Sequence, residues 1–403
     1  MQRFSIAVLS LAALGVAMAT VAVASPARTT ASSRSRFEPS ASRLSAPGPD
    51  FPGLTSMDVK APDFPKPGAK VSGTTWIDSP PLTLAELRGK VVMIDFWEYT
   101  CINCIRTFAQ SKEWWNRYRK YGFEIIGVHD PEFTFAYNVA NVRAAVARFG
   151  IPWPVVADDW FSIWKSYNNN SWPSRYLIDA NGYIRYNRVG EGADRAFEQA
   201  IRYLLIQAHP GLKFPASYTL PNYEDVFAPG CGGVPTDEMY VGPTYNRGIV
   251  ANPHPYHPGE TENYKMPSQV GDGRAGLSGK WETDPSGMIF EGKSQQPGPK
   301  AGRLRMRYHA AELYSVMHVP QGEPQRLYIL QDGRWLTKTN RGVDVKFDPE
   351  GRSYIDVTSG RMYYLVSNPS MSGHEVDLIP SAPGLMIDSF TFGNNCQRDF
   401  PHL

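Results

Sequence analysis

Four cysteines are all that this 403-residue chain contains: Cys101, Cys104, Cys231 and Cys396. A tetrahedral zinc site built on the close pair would need two further ligands, usually a second CxxC or paired histidines. The nearest histidine in sequence is the lone His129, so no metal is expected, and no cofactor. Charge of one sign is also lacking. Lys and Arg total 41 against 39 Asp and Glu, with no block of like charge, which excludes a whole-protein field for nucleic acid or an anionic membrane. Beyond residue 24 no apolar run is long enough to span a bilayer, and no cysteine follows the first run to carry a lipid.

That first run is an export pattern. Residues 1–24 join Arg3 to a stretch of Ala, Val, Leu and Met and end in Ala22-Val23-Ala24 before Ser25-Pro26, which reads as a signal peptide cleaved after Ala24. The alternative is an uncleaved anchor, because the run approaches the ~20 residues a spanning helix needs. Either way the remainder is exported, to the periplasm or outside the cell. Residues 25–57, rich in Ser, Pro, Ala and Arg without an apolar period, read as a disordered linker. The length then exceeds one ordinary domain, and 42% hydrophobic with 12% aromatic content suffices to bury two cores.

Residues 58–210 alternate strand and helix. "VVMIDFW" (91–97) is a continuous apolar strand, and 103–122 has helical spacing stopped by Gly122. Strand 123–129, helix 136–150, strand 153–158, a hairpin of 174–179 and 183–190 around Asn181-Gly182, and a helix over 193–208 follow. The alternation predicts an α/β domain with a mixed sheet. Cys101 falls where the first strand meets its helix. Unpaired N–H groups and the dipole there favour a thiolate, so Cys101 is the candidate nucleophile. Cys104, one turn on, is within disulfide reach and is the candidate resolving cysteine. Oxidising compartments permit disulfides, and the spacing pairs Cys101 with Cys104, leaving Cys231 with Cys396 as a structural disulfide; two free cysteines or a second redox pair are the alternatives.

Asp95 lies inside the apolar strand, six residues before Cys101. Burial should raise its pKa and suit it to accept the resolving thiol's proton, unless a local hydrogen bond satisfies it. Trp172-Pro173 precede a strand, where a cis bond would set a tight turn and leave backbone groups for a substrate to pair with. Glu98 and Tyr99 could shape the pKa or the substrate surface, but read more readily as an exposed, solvated pair before the helix. His129, at a strand end, is a secondary candidate, since such ends face the ligand crevice.

"VVMIDFWEYTCINC", with "WPSRYLIDANGYIRY" some 70 residues later, resembles the thioredoxin superfamily, and within it the exported TlpA/DipZ-like thiol-disulfide oxidoreductases. The resemblance implies that Cys101 attacks, Cys104 resolves, Asp95 moves protons, and Trp172 with a cis Pro173 flanks the substrate. It also implies protein thiol or disulfide partners. Two positions depart from the pattern: Asn103 stands where thioredoxin has proline, and Ala109 where many members have the proline that kinks the helix. The first leaves the redox potential open.

The second half has another texture. Residues 211–268 are dense in Pro, Gly and Tyr and read as a connector. Over 269–403 ten short β-like runs recur between turn signals, predicting an antiparallel β-sandwich of jelly-roll type. Its composition is similar to the carbohydrate-binding-module-like domain that ends DipZ-type proteins, which implies a carbohydrate or cell-envelope ligand. Trp281, Trp335, Tyr363 and Tyr364 could form a platform for it, although aromatics alternating in strands are more often core. Nothing in the chain resembles DipZ's polytopic electron-carrying part, so the expected function, disulfide exchange in the reducing direction, would draw electrons from a separate membrane donor. The competing reading is an envelope scaffold holding a static disulfide.

Overall fold

The computed structural model describes residues 54, 59–65, 73–220, 231–244, 249–252, 257–320 and 323–396. The expected signal peptide and nearly all of the expected linker lie outside them. The N-terminal sheet is built from β1 (Thr74–Ile77), β2 (Val91–Trp97), β3 (Phe123–His129), β4 (Val155–Asp158), β5 (Ser174–Ile178) and β6 (Ile184–Val189), in the order β1-β4-β3-β2-β5-β6. Strands β2, β3 and β4 run parallel, while β1, β5 and β6 pair antiparallel to their neighbours. The run read as an apolar strand is central, and every residue of β2 is buried, as expected of a strand covered on both faces. Among the described residues four α-helices accompany the sheet: α1 (Ile102–Tyr118), α2 (Val139–Phe149), α3 (Ser162–Ser166) and α4 (Asp194–Ala208).

Local chemistry sets the boundaries. Helix α2 starts where Asn138 Oδ1 accepts the Ala140 N–H at 3.0 Å and stops at Gly150, whose φ of 56° lies in the left-handed region. Helix α1 runs unbroken through Ala109. Two elements of this domain escape the sequence reading. Strand β1 is four residues long, only half-buried at three of them, and α3 is a single turn whose first N–H groups are taken by the Asp158 carboxylate, at 2.9, 2.7 and 3.0 Å from Ser162, Ile163 and Trp164.

The C-terminal region is one large antiparallel sheet of eleven strands: β7 (Met239–Tyr240), β8 (Thr261–Tyr264), β9 (Arg274–Thr283), β10 (Met288–Phe290), β11 (Arg303–His318), β12 (Gln325–Gln331), β13 (Arg334–Trp335), β14 (Lys346–Phe347), β15 (Ser353–Val357), β16 (Arg361–Pro380) and β17 (Met386–Gly393). Strands β11 and β16 each span what reads in sequence as two runs. The pairing of β11 with β16 shifts register at Ala310/Glu312 and Leu313/Tyr314, where bulges bend a strand without ending it. Strands β7 and β8 fall inside the stretch read as a connector. Cys231 and Cys396 are joined, with Cα atoms 5.0 Å apart, tying the approach to the sheet to its last strand. Trp281, Tyr363 and Tyr364 are buried in cores and Trp335 is half-buried, so three of the four platform aromatics are packing residues.

The two sheets share packing. One hydrophobic cluster contains Trp97, Tyr99, Ile102, Cys104 and Phe108 of the N-terminal domain together with Tyr314, Val316, Met362 and Tyr364 of β11 and β16. The large sheet therefore lies against the end of β2 from which the CxxC loop emerges.

Candidate active site

Cys101 is the N-cap of α1, with extended backbone (φ −78°, ψ 106°). Its Sγ accepts the Cys104 N–H at 3.2 Å, and the two Sγ atoms lie 2.6 Å apart. A sulfur therefore occupies the position where Ser or Asp usually satisfies an orphan N–H. Cys101 is half-buried and Cys104 fully buried. The sequence alone suggests a thiolate-favouring helix end, but burial outweighs it. Burial pushes the Cys101 thiol up, the charges of Glu238 and Glu132 add to the rise, and the Cys104 thiol and N–H oppose it. Burial also drives the Cys104 thiol well above its usual range, helped by Cys101 and by Asp95.

Asp95 is buried, and no donor among the described residues reaches either carboxylate oxygen. The local hydrogen bond that would make it a bland structural acid is not there. Burial raises its carboxyl from 3.8 to about 7, with the Arg175 charge pulling it down. Arg175 stands opposite Asp95 in the β2–β5 register and ion-pairs with Asp194 at 3.1 Å. Trp172-Pro173 is cis, ahead of β5, and Trp172 packs 4.6 Å from Trp164 between ring centroids.

Glu98 and Tyr99 are not exposed, as sequence position suggested, but buried. The strand end cannot reach solvent because the large sheet covers it. Glu98 Oε2 accepts the Thr100 N–H and hydroxyl, while Oε1 lies 3.6 Å from His129 Nε2. The His129 ring stacks on Tyr99 at 5.4 Å, and neither of its nitrogens has a hydrogen bond among the described residues. His129 thus belongs to the layer beneath the CxxC loop.

The C-terminal region supplies the rest. Tyr240 of β7 donates to Glu132 and stacks on Phe133, and Glu238 accepts from Thr391 at 3.1 Å. His318 pairs with Asp388 at 2.9 Å and lies 4.6 Å from the Phe135 ring. Sequence reasoning missed Arg106, Glu132, Glu238, Tyr240 and Glu312, since charged residues scattered over two domains look like solvated surface. One signal was available: Arg106 sits four residues after Ile102 on the apolar stripe of α1. Among the described residues no group of three or more His, Cys, Asp or Glu is placed to hold a metal ion.

A CxxC heading the first long helix after the central strand of a mixed α/β sheet defines a thioredoxin-like domain. A family model described as AhpC/TSA family matches residues 57–187, and one described as thioredoxin like C-terminal domain matches residues 236–393. Protein DipZ of Mycobacterium tuberculosis is 31% identical over 325 residues, covering 79% of this chain and 42% of DipZ. Thiol-disulfide oxidoreductase ResA of Geobacillus kaustophilus is 32% identical over 102 residues, 25% of this chain and 56% of ResA. These matches support a TlpA/DipZ-like assignment within the thioredoxin superfamily, and the chain spans less than half the length of DipZ.

Proposed function

We propose that the protein is an exported thiol-disulfide oxidoreductase that reduces protein disulfides through the Cys101–Cys104 dithiol. The observation that carries this is the asymmetry of the pair: a half-buried sulfur capping α1, a fully buried one 2.6 Å behind it, and an unpartnered carboxyl on the adjoining strand. The Cys101 thiolate attacks a substrate disulfide, one substrate thiolate leaves, and a mixed disulfide forms. Asp95, raised to about 7 and so partly ionised at neutral pH, takes the Cys104 proton. The Cys104 thiolate then attacks Cys101 Sγ and releases the second substrate thiol. Two electrons pass to the substrate, and the protein keeps the Cys101–Cys104 disulfide.

The reducing direction is supported by the environment of the thiols. A strong oxidant owes its potential to a stabilised reduced form, whereas burial and neighbouring carboxyls here push both thiols up. Turnover then requires an electron donor, for which a separate membrane protein is the fitting class, and the export pattern of residues 1–24 supports a reaction outside the cytoplasm. Trp172 and Pro173 would flank the substrate chain. A carbohydrate or cell-envelope ligand for the C-terminal sheet accords with the family resemblance, and the half-buried Trp335, against Tyr328, is the remaining platform aromatic.

The test is insulin-disulfide reduction by the dithiothreitol-primed protein, with the reduction potential measured against glutathione and Cys101→Ser as control. Turnover that requires Cys101, with a potential near the ~−270 mV of thioredoxin, is expected. A value near the ~−120 mV of a strong oxidant would reverse the direction. A pair that never exchanges would leave only the scaffold reading.

A further inference from the structure

Arg106 follows Cys104 by two residues in α1 and is 1% exposed. Its Nη1 lies 3.3 Å from Asn103 Oδ1 and 3.3 Å from Glu191 Oε1, and its Nη2 lies 3.7 Å from Glu312 Oε2 in β11. The guanidinium also sits over the Tyr314 ring, 5.5 Å from its centroid. Glu312 is completely buried and accepts the hydroxyls of Tyr314 and, at 2.5 Å, Tyr364. Backbone packing is shaped around the pair. Gly393 of β17 stands opposite Glu312, and a Cβ there would meet Glu312 Oε2 at 2.8 Å and Arg106 Nη2 at 3.0 Å.

We propose that Glu312 of the C-terminal domain is a positioning residue for the dithiol, acting through Arg106 on Asn103, which lies between the two cysteines. The inference rests on the dithiol-exchange reading above. Joining the domains does not require these charges, since Tyr314, Val316, Met362 and Tyr364 already pack on the N-terminal core, and desolvating an ion cluster opposes folding. What the cluster adds is a fixed field and a fixed Asn103 at the head of α1. One cation faces two carboxylates, so the cluster leans negative two residues beyond Cys104 and in contact with Asn103 between the cysteines, whose reactivity depends on the thiolate.

This arrangement predicts shifts of opposite sign. In Glu312→Gln, Arg106 is opposed by Glu191 alone, the reduced form with its thiolate is stabilised, and the protein becomes more oxidising. In Arg106→Gln both carboxylates persist, Asn103 loses its donor, and the protein becomes more reducing. The experiment is equilibrium titration of the full-length protein and both variants with glutathione redox buffers at fixed pH, read by thiol alkylation. Each variant should move the equilibrium constant at least threefold, in opposite directions. Should Arg106→Gln not fold, Tyr364→Phe removes a donor from Glu312 without uncovering a cation and should shift the constant in the more reducing direction. Shifts of the same sign for Glu312→Gln and Arg106→Gln mark simple loosening and overturn the proposal, as does no shift beyond twofold in any variant. A wild-type pair that does not equilibrate with glutathione overturns the dithiol reading and this inference with it, whereas unmoved variants of an active wild type overturn the inference alone.

Discussion

Replacing Asp95 by Asn should make the protein more stable and less active, and the size of the first effect follows from burial. In the unfolded chain an aspartate ionises near 3.8, while in the fold Asp95 does so near 7. Between those values the folded state binds more protons than the unfolded one, so stability falls as pH rises and stays low above pH 7. At ~1.4 kcal/mol per pH unit the ionised carboxyl costs about 4 kcal/mol at pH 8. Full burial means that little of this is lost to solvent screening. Urea denaturation of reduced wild type and Asp95→Asn, run from pH 3.5 to pH 8.5, should show near-equal stability at the acid end and an advantage of ~4 kcal/mol for the variant at the other. Insulin reduction by the same variant should slow at least ~10-fold, as expected when a proton acceptor is removed. A stability difference that stays flat across this pH range would refute the claim that an ionisable, unpartnered carboxyl sits under the dithiol.

Three further outcomes test other parts of the site. Cys104→Ser should retain attack by Cys101 but not resolution, so mixed disulfides with substrate proteins should accumulate and appear as reductant-sensitive bands on non-reducing gels. Glu238→Gln removes a charge that pushes Cys101 up, so its alkylation at neutral pH should quicken severalfold and its half-titration should fall to lower pH. Breaking the Cys231–Cys396 bridge by double replacement with Ser opens a closure across 165 residues, which in the chain-entropy model costs about 5 kcal/mol, measurable as a lower urea midpoint of the C-terminal sheet.

Much of the N-terminal domain was legible because its signals are local. The apolar run 91–97 and strand 123–129 match β2 and β3 residue for residue, since continuous apolar runs bounded by a loop or a glycine leave little choice of register. Strand β1 was not legible, because "TTWI" carries no alternation and becomes a strand only by pairing with β4. The long strands β11 and β16 read as pairs of short ones because bulges and polar residues interrupt their pattern. In the site, Cys101, Cys104 and Asp95 could be found from spacing along the chain. Glu132 and Tyr240, 108 residues apart, meet only through tertiary packing, and no periodicity along a single strand or helix encodes that meeting.

That meeting changes what the C-terminal sheet does for the chemistry. Had it been a tethered recruiting module, its contacts with the first domain would fall away from the dithiol and its charged residues would face water. Instead β7, β11 and β17 bring Tyr240, Glu312 and Asp388 into buried or half-buried places, and the exposed Glu238, just ahead of β7, adds its charge to those acting on Cys101. Burial by this sheet, together with those carboxyls, opposes the thiolate that the helix end favours. The two influences act on one sulfur with opposite sign, so the second domain sets how far the Cys101–Cys104 pair departs from an unadorned helix-capped dithiol. Cutting the chain to its first domain should therefore leave a more acidic Cys101 and a more oxidising pair, readable as a shift in the glutathione equilibrium relative to the whole protein.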